Sequence, residues 1–239
     1  VKPYQTSYTI PVGEDLFTNF GYADFQNVYV IVMAAADNTN VQINDPLTPG
    51  VDVNVTLNRG QVSELFHIND GTTVTATNPV QVQFMVGQFN TGIASDSRSY
   101  TAVPDGLWSV AYYSPVPGGG TASDTDIYIY NPTAGALSIN YQDSAGTGTF
   151  SVPAGATRSY SDLTGRYVPF NSAVYLAATD GTTRFWAIGS YDAENADYNY
   201  GFTLVPANLL ANDYYVGWAP GSTNFSANGS PVFVTPTQN

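Results

Sequence analysis

The sequence predicts an all-β protein: two tandem β-sandwich domains from an internal duplication, followed by the first strands of a third unit. Three observations predict it. Short β-branched and aromatic runs alternate with turn residues throughout, and helical spacing is nearly absent. The charged fraction is only 10%, and polarity comes from Thr, Ser, Asn and Gly, the composition of short strands and many turns. Finally, a segment recurs: Ser7-Tyr8-Thr9-Ile10, Ser99-Tyr100-Thr101-Ala102 and Gly201-Phe202-Thr203-Leu204, each followed closely by Pro11, Pro104 or Pro206. Tyr8 and Tyr100 lie 92 residues apart, and Tyr100 and Phe202 lie 102 apart, a period that suits whole domains rather than solenoid repeats. The expected division is 1–98, 99–200 and a partial third unit or inter-subunit strand segment over 201–239.

In the first unit the strands read in order. Val28–Met33 is a β-branched and aromatic run. Val51, Val53, Val55 and Leu57 alternate with Asp52, Asn54 and Thr56, the period of two that turns one face to a core. Thr73–Thr77 and Val80–Phe84 repeat the pattern. The second unit is expected to match: Ile127–Tyr130 with Val28–Val32, Leu137–Ile139 with Val41–Ile43, and Phe150–Gly155 with Val55–Gly60. Ala173–Leu176 would then pair with Thr73–Ala76, and Phe185–Gly189 with Gln83–Gly87. Gly60 and Gly155 read as turn residues with positive φ. One-turn helical pieces are expected only at Asp15–Asn19 and Ala207–Ala211. The third segment ends soon after Pro231-Val232-Phe233-Val234, a run like the first strand of each unit. A lone strand cannot bury its apolar face, so it packs on unit two, adds to a neighbouring chain, or belongs to a longer protein.

Charge bounds the partners. The formal net charge of −13 repels nucleic acid and anionic lipid. The chain has no Cys, hence no disulfide framework or thiolate chemistry, and no apolar run long enough to span a bilayer. A start at Val1 with no leader suggests a processed, secreted chain, extracellular or on the cell surface.

Ala35–Ile43 with Asn38-Thr39-Asn40-Val41, Thr56-Leu57-Asn58-Arg59-Gly60-Gln61, and Gly71-Thr72-Thr73-Val74-Thr75-Ala76-Thr77-Asn78-Pro79-Val80 follow one another in order. This succession resembles the amino-terminal domain of IgGFc-binding-type proteins and their bacterial surface relatives. The resemblance covers roughly 27–90, with a weaker echo over 126–191, where Val152-Pro153-Ala154-Gly155 and Ala178-Thr179-Asp180 stand in for the motifs. It implies a secreted β module without a known active site.

Sites are weighed on residue chemistry. His67 is the single histidine, and no Gly-x-Ser-x-Gly elbow occurs, so a Ser-His-Asp hydrolase is not expected; an enzyme reading would need convergent buried acids in one unit. Asp192, Glu194, Asn195 and Asp197, with Asp124 and Asp126 as a second loop, could supply calcium with oxygen ligands; the competing reading is that they form turns. Calcium is the one cofactor the composition leaves open. Tyr198, Tyr200, Tyr214, Tyr215 and Trp218 are expected to make aromatic contacts near the second junction, as a core between units or as a platform. The functional expectation is an extracellular structural or adhesive protein, not an enzyme. It would self-associate into a filament or surface layer, with Pro231, Val232, Phe233 and Val234 adding as a strand to a neighbour. The alternative is a glycan- or host-protein-binding module of a larger surface protein.

Overall fold

The computed structural model describes residues 4–14, 25, 27–87, 98–116, 124–169, 172–192, 200–213 and 234; the side chains of Pro115, Val116, Asp124, Asp192 and Tyr200 lie outside that description. The protein is all-β with antiparallel sheets. The first set of strands comprises β1 (Gln5–Ile10), β2 (Val28–Ala34), β3 (Thr39–Asn44), β4 (Val53–Leu57), β5 (Phe66–His67), β6 (Thr72–Val86) and β7 (Arg98–Thr101). The second comprises β8 (Ala111–Val116), β9 (Asp124–Tyr130), β10 (Leu137–Asp143), β11 (Gly146–Val152), β12 (Thr157–Ser159), a short helix α1 (Tyr160–Thr164), β13 (Ser172–Ala178), β14 (Trp186–Asp192) and β15 (Tyr200–Thr203).

Long strand β6 organises the first set. Its first half pairs with β1 and β3, its second half with β2 and β7, and β4 and β5 extend the outer sides. The changeover falls at Asn78-Pro79, where proline has no N–H to offer a ladder, and the β1 register shifts between Gln5 and Ser7 opposite it. Val74, Val80, Val82, Phe84 and Val86 are all buried, so one face of β6 serves the core along its length.

The second set repeats this neighbour order with the long strand cut in two. One sheet runs β11-β10-β13-β8 and the other β12-β9-β14-β15, as β4-β3-β6-β1 and β5-β2-β6-β7 do. The cut between β13 and β14 is a turn at Asp180-Gly181. Gly181 has φ 65°, and the Asp180 carboxylate accepts from the N–H groups of Thr182 and Thr183, both at 2.8 Å. The Thr183 hydroxyl, then these N–H groups, hold that carboxyl down to about 2.

Register makes the correspondence residue by residue. The Tyr8 hydroxyl donates to Val80 O (2.6 Å) and accepts from Gln5 N–H (3.0 Å). Tyr112 does the same with Phe185 O (2.7 Å) and Ser109 N–H (3.1 Å). Each tyrosine ties the start of its set to the strand changeover. Thus β1 corresponds to β8, and the counterpart of Tyr8 is Tyr112, not Tyr100. The recurring Ser-Tyr-Thr at Ser7 and Ser99 occupies two different strands: β1 pairs with the first half of β6, and β7 with the second. Tyr100 and Phe202 do correspond, paired with Phe84 and Gly189 respectively. Behind each, a 3₁₀ turn follows a proline: Asp105–Leu107 after Pro104 and Ala207–Leu209 after Pro206.

Gly60 and Gly155 take φ values of 78° and 61°, as their turns require. Helix α1, which strand patterning does not announce, carries local end signals. Ser159 caps it by accepting from Asp162 N–H (3.1 Å), and Gly165 closes it at φ 76°. The 3₁₀ turn at Ala207–Leu209 stands where a helical piece is expected; Asp15–Asn19 lies outside the described residues.

Candidate interaction surfaces

Most of the residues singled out in the sequence fall outside the described residues: Tyr198, Tyr214, Tyr215, Trp218, Glu194, Asn195, Asp197, Pro231, Val232 and Phe233. Val234 is 80% exposed. The backbone of Tyr200 pairs with Tyr191 in β15, and the backbone of Asp192 ends β14 opposite Asp124. The Asp126 carboxylate is buried and engaged, accepting from the N–H groups of Ile127 (2.9 Å) and Ser161 (3.0 Å) and from the Ser161 hydroxyl. Among the described residues no group of three or more His, Cys, Asp or Glu side chains is placed to hold a metal. His67 is exposed, 3.1 Å from the Glu14 carboxylate and edge-on to the Tyr29 ring; Glu14 also accepts from Val28 N–H (3.1 Å). The pair pins the loop after β1 to the start of β2.

The aromatic contact that dominates the described structure lies elsewhere. In β9, Ile127 and Ile129 point into the core of the second set, while Tyr128 and Tyr130 turn the other way. In β14, Ala187 joins the second core, and Trp186 and Ile188 join the first. This sheet is buried on both faces, with the first set of strands covering its outer one. Tyr128 meets Phe25 edge-on at 4.7 Å, Tyr130 meets Trp108 edge-on at 5.8 Å, and Trp186 lies 6.5 Å from Phe84. The side chain of Tyr100 is stacked on Phe84 (4.7 Å, 5°), and its ring lies over Gly201, where a Cβ would come within 2.1 Å of it. Polar contacts frame the joint: the hydroxyls of Thr157 and Thr203 donate to Pro11 O (2.5 Å) and Thr101 O (3.0 Å), and Arg184 donates to Gly106 O (3.2 Å). Burial, with Asp70 and Asp105 nearby, pushes the Tyr130 hydroxyl above its ordinary pKa. The signal for this joint is in the sequence. Ile127-Tyr128-Ile129-Tyr130 and Phe185-Trp186-Ala187-Ile188 are unbroken apolar runs, as strands covered on both sides are, though Val28–Ala34 in β2 is another such run and no second strand set covers it among the described residues.

Two other faces have no second sheet over them among the described residues. Outward from β2 and β6, Tyr29, Ile31, Met33, Gln81, Gln83 and Met85 are half-buried. Outward from β10, β11 and β13 a shallow depression is lined by Asn140, Gln142, Thr147, Thr149 and Tyr175, with Tyr113 against Tyr175 at 4.6 Å. Beneath it, a polar cluster locks the second core: the buried Asp143 carboxylate accepts from the Tyr160 hydroxyl (2.8 Å) and from Arg166 at 2.5 and 3.0 Å. Burial alone would raise the Asp143 carboxyl, but hydrogen bonds from Arg166, Tyr160 and Ala145 N–H outweigh it and hold the pKa below the usual range.

No helix among the described residues is long and apolar enough to cross a membrane. No curated protein and no solved structure matches the chain. A family model described as IgGFc binding protein matches residues 6–169, running from β1 through α1. That match takes in more than half of the sequence, all of the first strand set and the second set as far as α1, and the chain belongs to the IgGFc-binding protein family.

Proposed function

We propose that this chain is an extracellular structural or adhesive segment that works by contact with other proteins and carries out no chemical step. The observation that carries the reading is the joint. A sheet buried on both faces fuses consecutive strand sets into one stiff body, which suits a load-bearing or displaying array. The family's description as a binding protein supports contact as the mode of action, and membership favours an extracellular site.

The two strand sets are read as duplicated β-sandwich units. The shared strand order and the two tyrosine ties support this. On that reading the first unit extends through β7 and the turn at Asp105–Leu107, and the second through β15 and the turn at Ala207–Leu209. Both breaks would then lie several residues after 98 and 200.

The finer reading is a homopolymer, filament or surface layer, in which Pro231–Val234 adds to a neighbour's sheet. Edge strands β4 and β11 each pair on one side only among the described residues and offer acceptor edges. Light scattering and negative-stain imaging of the chain with and without residues 230–239 test it. Polymers that disappear on truncation support it; polymers that survive, or a monomer in both cases, remove it. A glycan-binding module is the second reading. It is favoured by the Tyr113–Tyr175 pair beside the Asn140 and Gln142 amides, a stacking ring flanked by hydrogen-bonding groups. It predicts that Tyr175→Ala abolishes signals on a glycan array.

A further inference from the structure

The joint described above is a pair of complementary surfaces, and register places the counterpart of each on the opposite unit. On the first set the covered end is formed by Tyr100, Val103 and Trp108. Their counterparts at the end of the second set are Phe202, Val205 and Leu210, by the shared pairing of β7 and β15 and the turns that follow. Trp108 is 5% exposed against Tyr130, whereas Val205 is 38% exposed and Leu210 half-buried. The second set therefore ends in a surface built like one that is covered elsewhere in the same molecule.

The covering face has counterparts too. Met33 pairs with Gln81 as Tyr130 pairs with Trp186, so the outward positions of the second set's sheet match outward positions on β2, β6 and β7. Trp186 matches Gln81, Ile188 matches Gln83, and Gly201 matches Ser99. These three changes oppose docking, while Tyr29, Ile31, Met33 and Met85 keep the rest of that face apolar. Two amides replace the apolar side chains that enter the first core, and burying them without partners is costly. Ser99 places a Cβ where Gly201 can have none, because a ring lies over it.

We infer that the array is polar. The outward face of β2, β6 and β7 is a cap that receives no further unit, and the end formed by Val205 and Leu210 is a docking surface. Its occupant is the outward sheet face of another unit of this fold, apolar at the positions of Trp186 and Ile188 and glycine at the position of Gly201. The inference rests on the reading of this chain as a contact module, but not on the tail strand.

The chain contains no cysteine, so single introduced cysteines report the joint directly. Full-length Leu210→Cys chain is mixed with a second full-length chain carrying Met33→Cys, under mild oxidation. Leu210 and Met33 hold the places of Trp108 and Tyr130, which touch. With Met33→Cys in the otherwise native chain, the cap keeps cross-linking at background. Adding Gln81→Trp, Gln83→Ile and Ser99→Gly to that chain converts the cap into a covering face and raises the yield of the mixed pair at least tenfold. Adding Val205→Glu to the Leu210→Cys partner returns it to background. Should the triple change distort the first set, Ser99→Gly with Gln83→Ile alone is the milder variant, and circular dichroism verifies its fold. No rise in yield from either converted chain refutes the docking surface. Equal high yields from native and converted faces refute the cap. A rise that ignores Val205→Glu is non-specific stickiness and refutes the assignment. Loss of polymers on removing residues 230–239 bears only on the tail strand and leaves these yields unchanged.

Discussion

Replacing Gly201 by alanine adds one methyl group at the point where the two strand sets touch. An ideal Cβ there falls 2.1 Å from both the Cζ and the hydroxyl oxygen of Tyr100, far inside van der Waals contact. The ring cannot swing away cheaply. Tyr100 is 2% exposed and stacked parallel on Phe84 at 4.7 Å, itself fully buried. Relief must come from separating β7 from β15, which also stretches the Thr203 to Thr101 hydrogen bond of 3.0 Å. Overpacking of a dense core costs about 1–3 kcal/mol, and the rigidity of this ring places Gly201→Ala near the upper end, about 3 kcal/mol. In a chain of this size that corresponds to a fall in Tm of roughly 6–12 °C. The decisive assay is a double-mutant cycle by urea denaturation. Tyr100→Ala alone costs about 3–5 kcal/mol, as large aromatic truncations do. In its background the added methyl group has room, and Gly201→Ala should cost no more than about 0.5 kcal/mol. The predicted coupling is therefore about 2 kcal/mol or more. Additive effects, or a neutral Gly201→Ala, would show that β7 and β15 do not meet as described.

The remaining predictions concern groups inside each strand set. Tyr112→Phe removes a hydroxyl that serves Phe185 O and Ser109 N–H, leaving both backbone groups to find other partners; the expected loss in urea denaturation is about 1–3 kcal/mol, and Tyr8→Phe should match it. Equal stability of Tyr112→Phe and wild type would remove the tie from the account. Because the folded Asp143 carboxyl lies below its unfolded value of about 3.9, its contribution is complete above that pH and is lost as the pH falls through the folded value. Asp143→Asn should accordingly lower stability at neutral pH and flatten the acid limb of the stability profile. The Tyr112 and Tyr160 hydroxyls are pushed up, chiefly by burial, so their share of stability is complete below about pH 10 and disappears as the pH rises through the folded values; substitution by Phe should flatten the alkaline limb of the stability profile.

Strand content and the positive-φ turns at Gly60 and Gly155 were legible in the sequence, because glycine conformation and alternation are local properties. Register between equivalents was less so. Val41 corresponds to Ile139 rather than Leu137, since Val41 opposes Val55 and Ala76 as Ile139 opposes Phe150 and Ala178. Alternation has a period of two, so a slip of two residues leaves every side chain on its proper face and goes undetected. Gly87 and Gly189 misled for another reason. The first takes φ 115°, whereas the second lies beneath the Phe202 ring, where a Cβ would be 2.2 Å away; one residue type answers two demands. Unbroken apolar runs in β9 and β14 fit the joint, but Val28–Ala34 in β2 is as unbroken and has no second sheet over its outer face among the described residues, so sequence alone does not say which runs are covered twice.

Calorimetry of the full chain tests the central claim, that a sheet shared between two cores makes both strand sets one cooperative body. A single transition is predicted, with calorimetric and van't Hoff enthalpies equal, and Tyr128→Ala or Trp186→Ala should split it. Two separate transitions in the unaltered chain, with neither midpoint moved by Trp186→Ala, would contradict it.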